Sequence, residues 1–229
     1  MTLPTPNPTL ETQGPALGYS ALAIFDLDGT LVHGDTFVPF LMSYTVKKRR
    51  FWPIVAMPFW ITLYLVRLIS ARTVKERLLT LFFKGEPRDA IADHARQFTT
   101  SWVAPRFRAE VAAKLREHQQ AGHRVILLSA SPDIYVPDIG VSLGITEVVC
   151  TRVGWLGQRC TGKILGPNCK GEEKINLLSQ YLGLEGAPGL SYAYGDSKSD
   201  LPLLRWVTHG FLLRKVDLIA VLKDIDAQN

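Results

Sequence analysis

With 229 residues, 47% of them apolar and 21% charged, the chain can form one domain carrying a large insertion, or two small domains, around a substantial core. Lys and Arg number 26 against 21 Asp and Glu, and the net charge of +5 suits an anionic substrate or an anionic membrane surface. No basic arm or nucleic-acid module is present, so nucleic acid is not an expected partner, and three cysteines without a CxxC fit a reduced, cytoplasmic setting.

Residues 1–19 contain four prolines and few large apolar side chains, with neither a basic start nor an apolar h-region. They read as a disordered tail rather than a signal peptide. Leu22 to Phe25 then forms a short apolar run that ends in Asp26-Leu27-Asp28-Gly29-Thr30. This reads as a buried strand with Asp26 at its carboxyl end, where open α/β sheets place their ligands. Two carboxylates two residues apart can converge on one spot, one attacking an electrophile or holding a metal while the other handles protons. A solvated acidic turn is the alternative for the octet taken alone.

Beyond a polar turn at Val32–Phe37 the pattern changes. Lys47-Lys48-Arg49-Arg50 precedes Phe51–Val66, an uncharged run of 16 residues interrupted by Pro53 and Pro58 and closed by Arg67. It falls short of the roughly 20 residues a spanning helix needs. Its aromatics and the basic cluster fit either an interfacial anchor over 47–66 at the inner face of a membrane or a helical hairpin packed inside an inserted domain. Ala71 to Gly85, Ala90 to Trp102 and Pro105 to Gln120 read as further helices. The expected organisation is therefore a tail (1–19), a core (20–34 and 118–229) and an all-helical insertion (35–117).

The alternating pattern resumes with a strand at Arg124–Ser131, a helix at Pro132–Leu143 and a strand at Glu147–Val153. A hairpin follows around Gly154, Gly157 and Gly162. Next come a helix at Lys170–Leu182, a strand at Leu190–Tyr194, a short helix at Asp200–Trp206 and a last strand at Phe211–Arg214. Strands alternating with helices imply an α/β fold, a mostly parallel sheet covered on both faces.

The segment Asp26-x-Asp28-x-Thr30 resembles the first motif of the haloacid dehalogenase-like (HAD) hydrolases. Leu127-Leu128-Ser129, a lysine at Lys170 or Lys174, and Gly195-Asp196-Ser197-Lys198-Ser199-Asp200 resemble the second, third and fourth motifs, in order. Asn168-Cys169-x-Gly171-x-x-Lys174 and the run Tyr194 to Leu204 are similar to the phosphoserine-phosphatase-like branch. The basic, apolar segment after the first motif is similar to phosphatidylglycerophosphatase C-type proteins. The resemblance implies a Rossmann-like three-layer core with a helical cap and a Mg²⁺-dependent phosphomonoester hydrolase. In it, Asp26 is the nucleophile that forms an aspartyl-phosphate, and Asp28 the general acid and base. Asp26, the main-chain carbonyl of Asp28, Asp196 and Asp200 hold Mg²⁺, Ser129 binds a phosphoryl oxygen, and Lys174 or Lys170 supplies the motif lysine.

In phosphoserine phosphatases a glutamate and a cap arginine bind the substrate's ammonium and carboxylate. Here Asp35, shorter by a methylene, stands at the first position, and Arg77 is either the counterpart of the second or an exposed helix residue, so the substrate is either a small phosphomonoester such as phosphoserine or a lipid phosphomonoester such as phosphatidylglycerophosphate. A phosphotransferase or mutase of the same superfamily, or a non-catalytic membrane-associated binding protein, is the alternative function. The five histidines are scattered and suggest neither a metal site nor a triad.

Overall fold

The computed structural model describes residues 20–48, 51–213 and 218–221. The tail expected over 1–19 lies outside them, as do Arg49 and Arg50 of the basic cluster. A seven-stranded sheet runs through the molecule: β1 (Leu22–Phe25), β2 (Arg124–Pro132), β3 (Glu147–Leu156), β4 (Arg159–Leu165), β5 (Ser191–Gly195), β6 (His209–Leu213) and β7 (Leu218–Val221). Their spatial order is β4-β3-β2-β1-β5-β6-β7, with β4 and β7 antiparallel to their neighbours and every other pairing parallel. β7 has no counterpart among the expected strands, and β6 opens two residues earlier than Phe211. These short edge strands carry too few residues for their alternation to be legible.

β1 sits at the centre, and its four residues are fully buried. Successive side chains point to opposite faces of a strand. Leu22 and Ile24 pack on one side with Ile126, Leu128, Leu178, Leu203 and Leu204, while Ala23 and Phe25 face the other with Leu127 and Tyr135. Burial on both faces explains why β1 reads as a continuous apolar run.

Between β1 and β2 stand α1 (Phe37–Lys48), α2 (Trp52–Leu65), α3 (Ala71–Phe83), α4 (Arg88–Phe98), a π-helical turn (Thr99–Val103), a 3₁₀ turn (Ala104–Arg106) and α5 (Ala109–Gln120). The helix expected from Pro105 begins only at Ala109, because the chain over 104–106 winds as a 3₁₀ turn around Pro105. α5 lies against β2. Phe40 packs against Phe83, His94, Phe98 and Tyr135, which join α1, α3 and α4 to the sheet side of the molecule. The hairpin β3–β4, at one edge of the sheet, braces α3. Gly162 (φ +73°) comes so close to Thr80 that a Cβ there would lie 2.4 Å from its Cα, and Thr80 Oγ1 donates to Gly162 O at 3.0 Å. The remaining helices are α6 (Val136–Ser142), α7 (Glu173–Leu182) and α8 (Leu201–Trp206). Each of these three opens later than its sequence pattern suggests, at Val136, Glu173 and Leu201.

α2 covers the uncharged run and is mostly unburied: only Pro53 and Met57 among its residues are buried, and Phe51, Trp52, Val55, Phe59 and Leu65 are exposed. The packed-hairpin alternative therefore accounts for little of this segment. Among the described residues no helix is long and apolar enough to cross a membrane.

Two histidines are packed inside the fold. His94 is buried, with Nε2 3.0 Å from Ser43 Oγ and no partner for Nδ1. His118 is buried with Nε2 2.9 Å from Tyr194 Oη and Nδ1 2.7 Å from His123 Nδ1. Burial drives both down to about 4, and for His118 the neighbouring His123 adds to the fall. A folded-state pKa below the unfolded value means stability that is complete above about pH 6.5 and is lost as pH falls towards 4. Each histidine contributes up to about 3 kcal/mol to that loss. Urea unfolding at pH 7.5 and pH 5 should show the acid sample less stable, and His94→Leu should flatten the slope. A pH-independent midpoint would contradict this.

Candidate active site

The carboxyl ends of β1, β2 and β5 meet the loop before α7 around one cavity of about 580 Å³. Its floor is Asp26, Asp28, Ser131, Lys174, Asp196 and Asp200, and its far wall is Val74, Lys75 and Leu78 of α3 with Ile61, Tyr64 and Leu65 of α2. Parallel strands put every βα loop at the same edge, which is why residues so far apart in sequence converge here.

Asp26 follows directly on β1 and is buried. Its Oδ1 accepts from Lys174 Nζ at 2.6 Å and its Oδ2 from Thr30 Oγ1 at 3.2 Å. Lys174, in the first turn of α7, also donates to Asp200 Oδ1 at 2.6 Å and is almost wholly buried. Burial would strip the ammonium of its proton, but the two carboxylates outweigh it and hold Lys174 above its ordinary range. Asp26 is pushed up to about 7, chiefly by burial, against the pull of Lys174 and with reinforcement from Asp200 and Asp28. Burial acts on Asp200 in the same direction, yet Lys174 prevails and keeps its carboxyl below the ordinary value. Of the two candidate lysines, Lys174 bridges the carboxylates. Lys170 is exposed on the cavity rim.

Asp28 is only half-buried and has a different neighbourhood. Oδ1 accepts from Thr36 N at 2.7 Å and Thr36 Oγ1 at 2.6 Å, and Oδ2 accepts from Ser131 Oγ at 2.5 Å. Thr36 Oγ1 is in turn 2.9 Å from Tyr135 Oη. Burial, with Asp35 nearby, raises the Asp28 carboxyl despite those bonds. The pair of aspartates is therefore divided by environment: Asp26 is tied to an ammonium and Asp28 to hydroxyls.

One oxygen from each of Asp26, Asp196 and Asp200 can be drawn within 4.8 Å of the others, a set of hard oxygen donors able to hold a divalent cation. Gly29 permits it. Its φ of +77° turns the chain under Asp196, and a Cβ at Gly29 would lie 2.0 Å from Asp196 Oδ2. The Asp28 carboxylate faces Thr36 and Ser131, so any part it takes in holding a cation falls to its main chain.

Two expected site residues are placed elsewhere. Arg77 is exposed on α3, with its guanidinium 5.1 Å from the centroid of the Trp60 ring, and does not line the cavity. Lys75, two residues earlier, lines it instead: its Nζ donates to Ala130 O and, at 2.6 Å, to Asn168 Oδ1. Ser129 is fully buried, its Oγ accepting from Ser131 N at 3.0 Å, and the hydroxyl on the cavity wall belongs to Ser131. Asp35 is exposed at the cavity edge, where Oδ1 caps α1 by accepting from Val38 N at 3.0 Å. Lys75, Ser131, Thr36 and Tyr135 were not singled out by sequence. The Ser129-Ala130-Ser131 run near the end of β2 was the one local signal for Ser131.

The model of the haloacid dehalogenase-like hydrolases matches residues 23–205. Protein CicA of Caulobacter vibrioides is 29% identical over 195 residues, covering 82% of this chain and 84% of that protein. A histidinol-phosphatase of Neisseria meningitidis is 27% identical over 210 residues, covering 82% and 87%. Among solved structures, a Bordetella pertussis protein of unknown function superposes with a TM-score of 0.71 at 25% identity, over 82% of this chain and 87% of that one. The phospho-aspartyl intermediate analogue of a phosphoserine phosphatase shares the fold, with a TM-score of 0.55 at 17% identity over 81% and 82%. With the family matched across most of its length, and with a carboxylate pair and a bridging lysine at the carboxyl edge of its sheet, the chain belongs to the haloacid dehalogenase-like hydrolases, as an enzyme of their phosphatase type.

Proposed function

We propose that this protein hydrolyses phosphomonoesters through an aspartyl-phosphate on Asp26. The observation that carries the reading is the division between the two aspartates: Asp26 is buried against Lys174, and Asp28 carries a raised carboxyl held by Thr36 and Ser131. A carboxylate oxygen of Asp26 bonds to phosphorus as the bond to the ester oxygen breaks, and Asp28 gives its proton to the departing alkoxide. Asp28, now ionised, takes a proton from a water that attacks the phosphoryl group. The Asp26–phosphorus bond breaks, inorganic phosphate leaves and both carboxyls return to their starting states. Ser131 and Thr36 orient Asp28 throughout, Lys174 fixes the Asp26 carboxylate, and Ser129 supports the turn that presents Ser131.

Asp26, Asp196 and Asp200, with the Asp28 main-chain carbonyl, suit Mg²⁺, which favours oxygen donors. When bound, it would offset the repulsion between the attacking carboxylate and the anionic phosphate. The substrate is a small phosphomonoester such as phosphoserine or a lipid one such as phosphatidylglycerophosphate. The histidinol-phosphatase relative favours the small class. The exposed apolar α2, whose Ile61, Tyr64 and Leu65 continue into the cavity wall, favours the lipid and peripheral membrane contact through 47–66.

Phosphate release by the purified protein with Mg²⁺, from phosphoserine and from phosphatidylglycerophosphate in mixed micelles, tests the reading. Release from either supports it, and the preferred substrate assigns the class. Faster transfer to an added alcohol than to water would make the enzyme a phosphotransferase.

A further inference from the structure

We propose that Tyr135 is a positioning residue for proton transfer: acting through Thr36, it fixes which oxygen of Asp28 carries the proton to the leaving alcohol. The proposal rests on the phosphomonoesterase reading above. Asp28 Oδ1 accepts from Thr36 N at 2.7 Å and from Thr36 Oγ1 at 2.6 Å. A hydroxyl has one proton to donate. Thr36 gives its proton to Asp28, so in its 2.9 Å contact with Tyr135 Oη it accepts, and the phenol donates. Donation therefore runs from Tyr135 to Thr36 to Asp28, and each bond strengthens the next. Tyr135 and Thr36 are fully buried, so water does not compete for either hydroxyl. Burial also holds the phenol well above its ordinary range, and it keeps the proton it donates.

This chain of hydroxyls makes the two oxygens of Asp28 unequal. The two Thr36 donors fill both lone pairs of Oδ1 and leave no place there for a proton. Oδ2 meets Ser131 Oγ at 2.5 Å, and Ser131 lines the cavity whereas Thr36 and Tyr135 do not. The acid proton is therefore carried on Oδ2, the oxygen on the cavity side. As the bond from phosphorus to the ester oxygen breaks, the Oδ2–H bond breaks with it. A new O–H bond forms on the departing alcohol, and the electron pair stays on Asp28, where Thr36 N, Thr36 Oγ1 and Ser131 Oγ stabilise it. Without the phenol, the Thr36 hydroxyl is free to turn and accept from Asp28, and a proton on Oδ1 faces away from the substrate. The ring of Tyr135 is packed independently of its hydroxyl. Its centroid lies 4.4 Å from that of Phe40 on α1 and 6.0 Å from that of Phe98 on α4, so Tyr135→Phe removes the donor and keeps the packing.

Two probes of similar size and opposite need for a proton test this: p-nitrophenyl phosphate, whose phenolate leaves unaided, and benzyl phosphate, whose alkoxide must be protonated. The measurement is kcat/KM with Mg²⁺ for the full-length parent and Tyr135→Phe, beside a thermal melt of each. This ratio covers only the steps up to loss of the alcohol, so the later hydrolysis does not enter. In Tyr135→Phe, kcat/KM for benzyl phosphate should fall about tenfold or more while that for p-nitrophenyl phosphate stays within about threefold. Thr36→Val should show the same selective loss, and the double variant should lose no more than Thr36→Val alone, because Tyr135 acts through Thr36. Equal losses for the two probes would make Tyr135 a packing residue only and would overturn the proposal. An unchanged rate with benzyl phosphate, or additive losses in the double variant, would overturn it too. Absence of phosphate release from both probes by the parent enzyme would instead overturn the phosphomonoesterase reading, and the proposal with it.

Discussion

Asp26→Asn is expected to lower phosphate release by roughly ten-thousand-fold or more while leaving the fold in place. The amide keeps the size of the side chain but lacks an anionic oxygen to bond to phosphorus. The fold should survive because Lys174 keeps its second partner, Asp200 Oδ1 at 2.6 Å, and because burial already opposes ionisation at position 26. The measurement is steady-state phosphate release beside a thermal melt of the same sample. Turnover within tenfold of the parent would remove Asp26 from the chemistry, and a collapsed melt would show that the loss was structural.

Lys174→Met should have the largest effect on stability. Its ammonium stands between two buried carboxylates, Asp26 and Asp200, at 2.6 Å from each. Removing one member of a buried ionic cluster leaves the others uncompensated, at a cost of about 3–5 kcal/mol. In a domain of this size that lowers the melting temperature by about 10 °C. The same carboxylates, with Asp196, form the cation-holding set, so Mg²⁺ should restore part of the loss and shift the variant's melt more than the parent's. Melting curves of both proteins with and without Mg²⁺ check this. A variant as stable as the parent in the absence of cation would show that the ammonium does not hold the site together.

Much of this site could be located from sequence because its anchors are local. A buried strand of four apolar residues must end at the sheet's edge, and Asp26 is the next residue. Asp196 follows β5 in the same way, and Asp200 lies one turn later. What was not legible depends on how an element is rotated. Lys75 and Arg77 are both basic and both on α3, but residues two apart on a helix do not share a face. Packing of Val74, Leu78 and Leu79 sends Lys75 to the cavity and Arg77 out to Trp60. Ser129 and Ser131 were likewise indistinguishable by type. The pairing of β2 with β3 shifts register after Ser129, and that irregularity brings Ser131 to Asp28.

The sequence by itself determined the order of elements, the parallel core and the identity of the paired aspartates, because these follow from apolar runs and the residues that end them. Only the tertiary structure shows that Lys174, in the first turn of α7, bridges Asp26 and Asp200 while Lys170, in the loop before that helix, is exposed on the rim, because the two carboxylates come from the loops after β1 and β5. It alone decided that Lys75 and Ser131 face the cavity, since both owe their direction to packing against other elements. The exposure of α2 is of the same kind: an apolar run states that a segment avoids charge, and only its neighbours decide whether anything covers it.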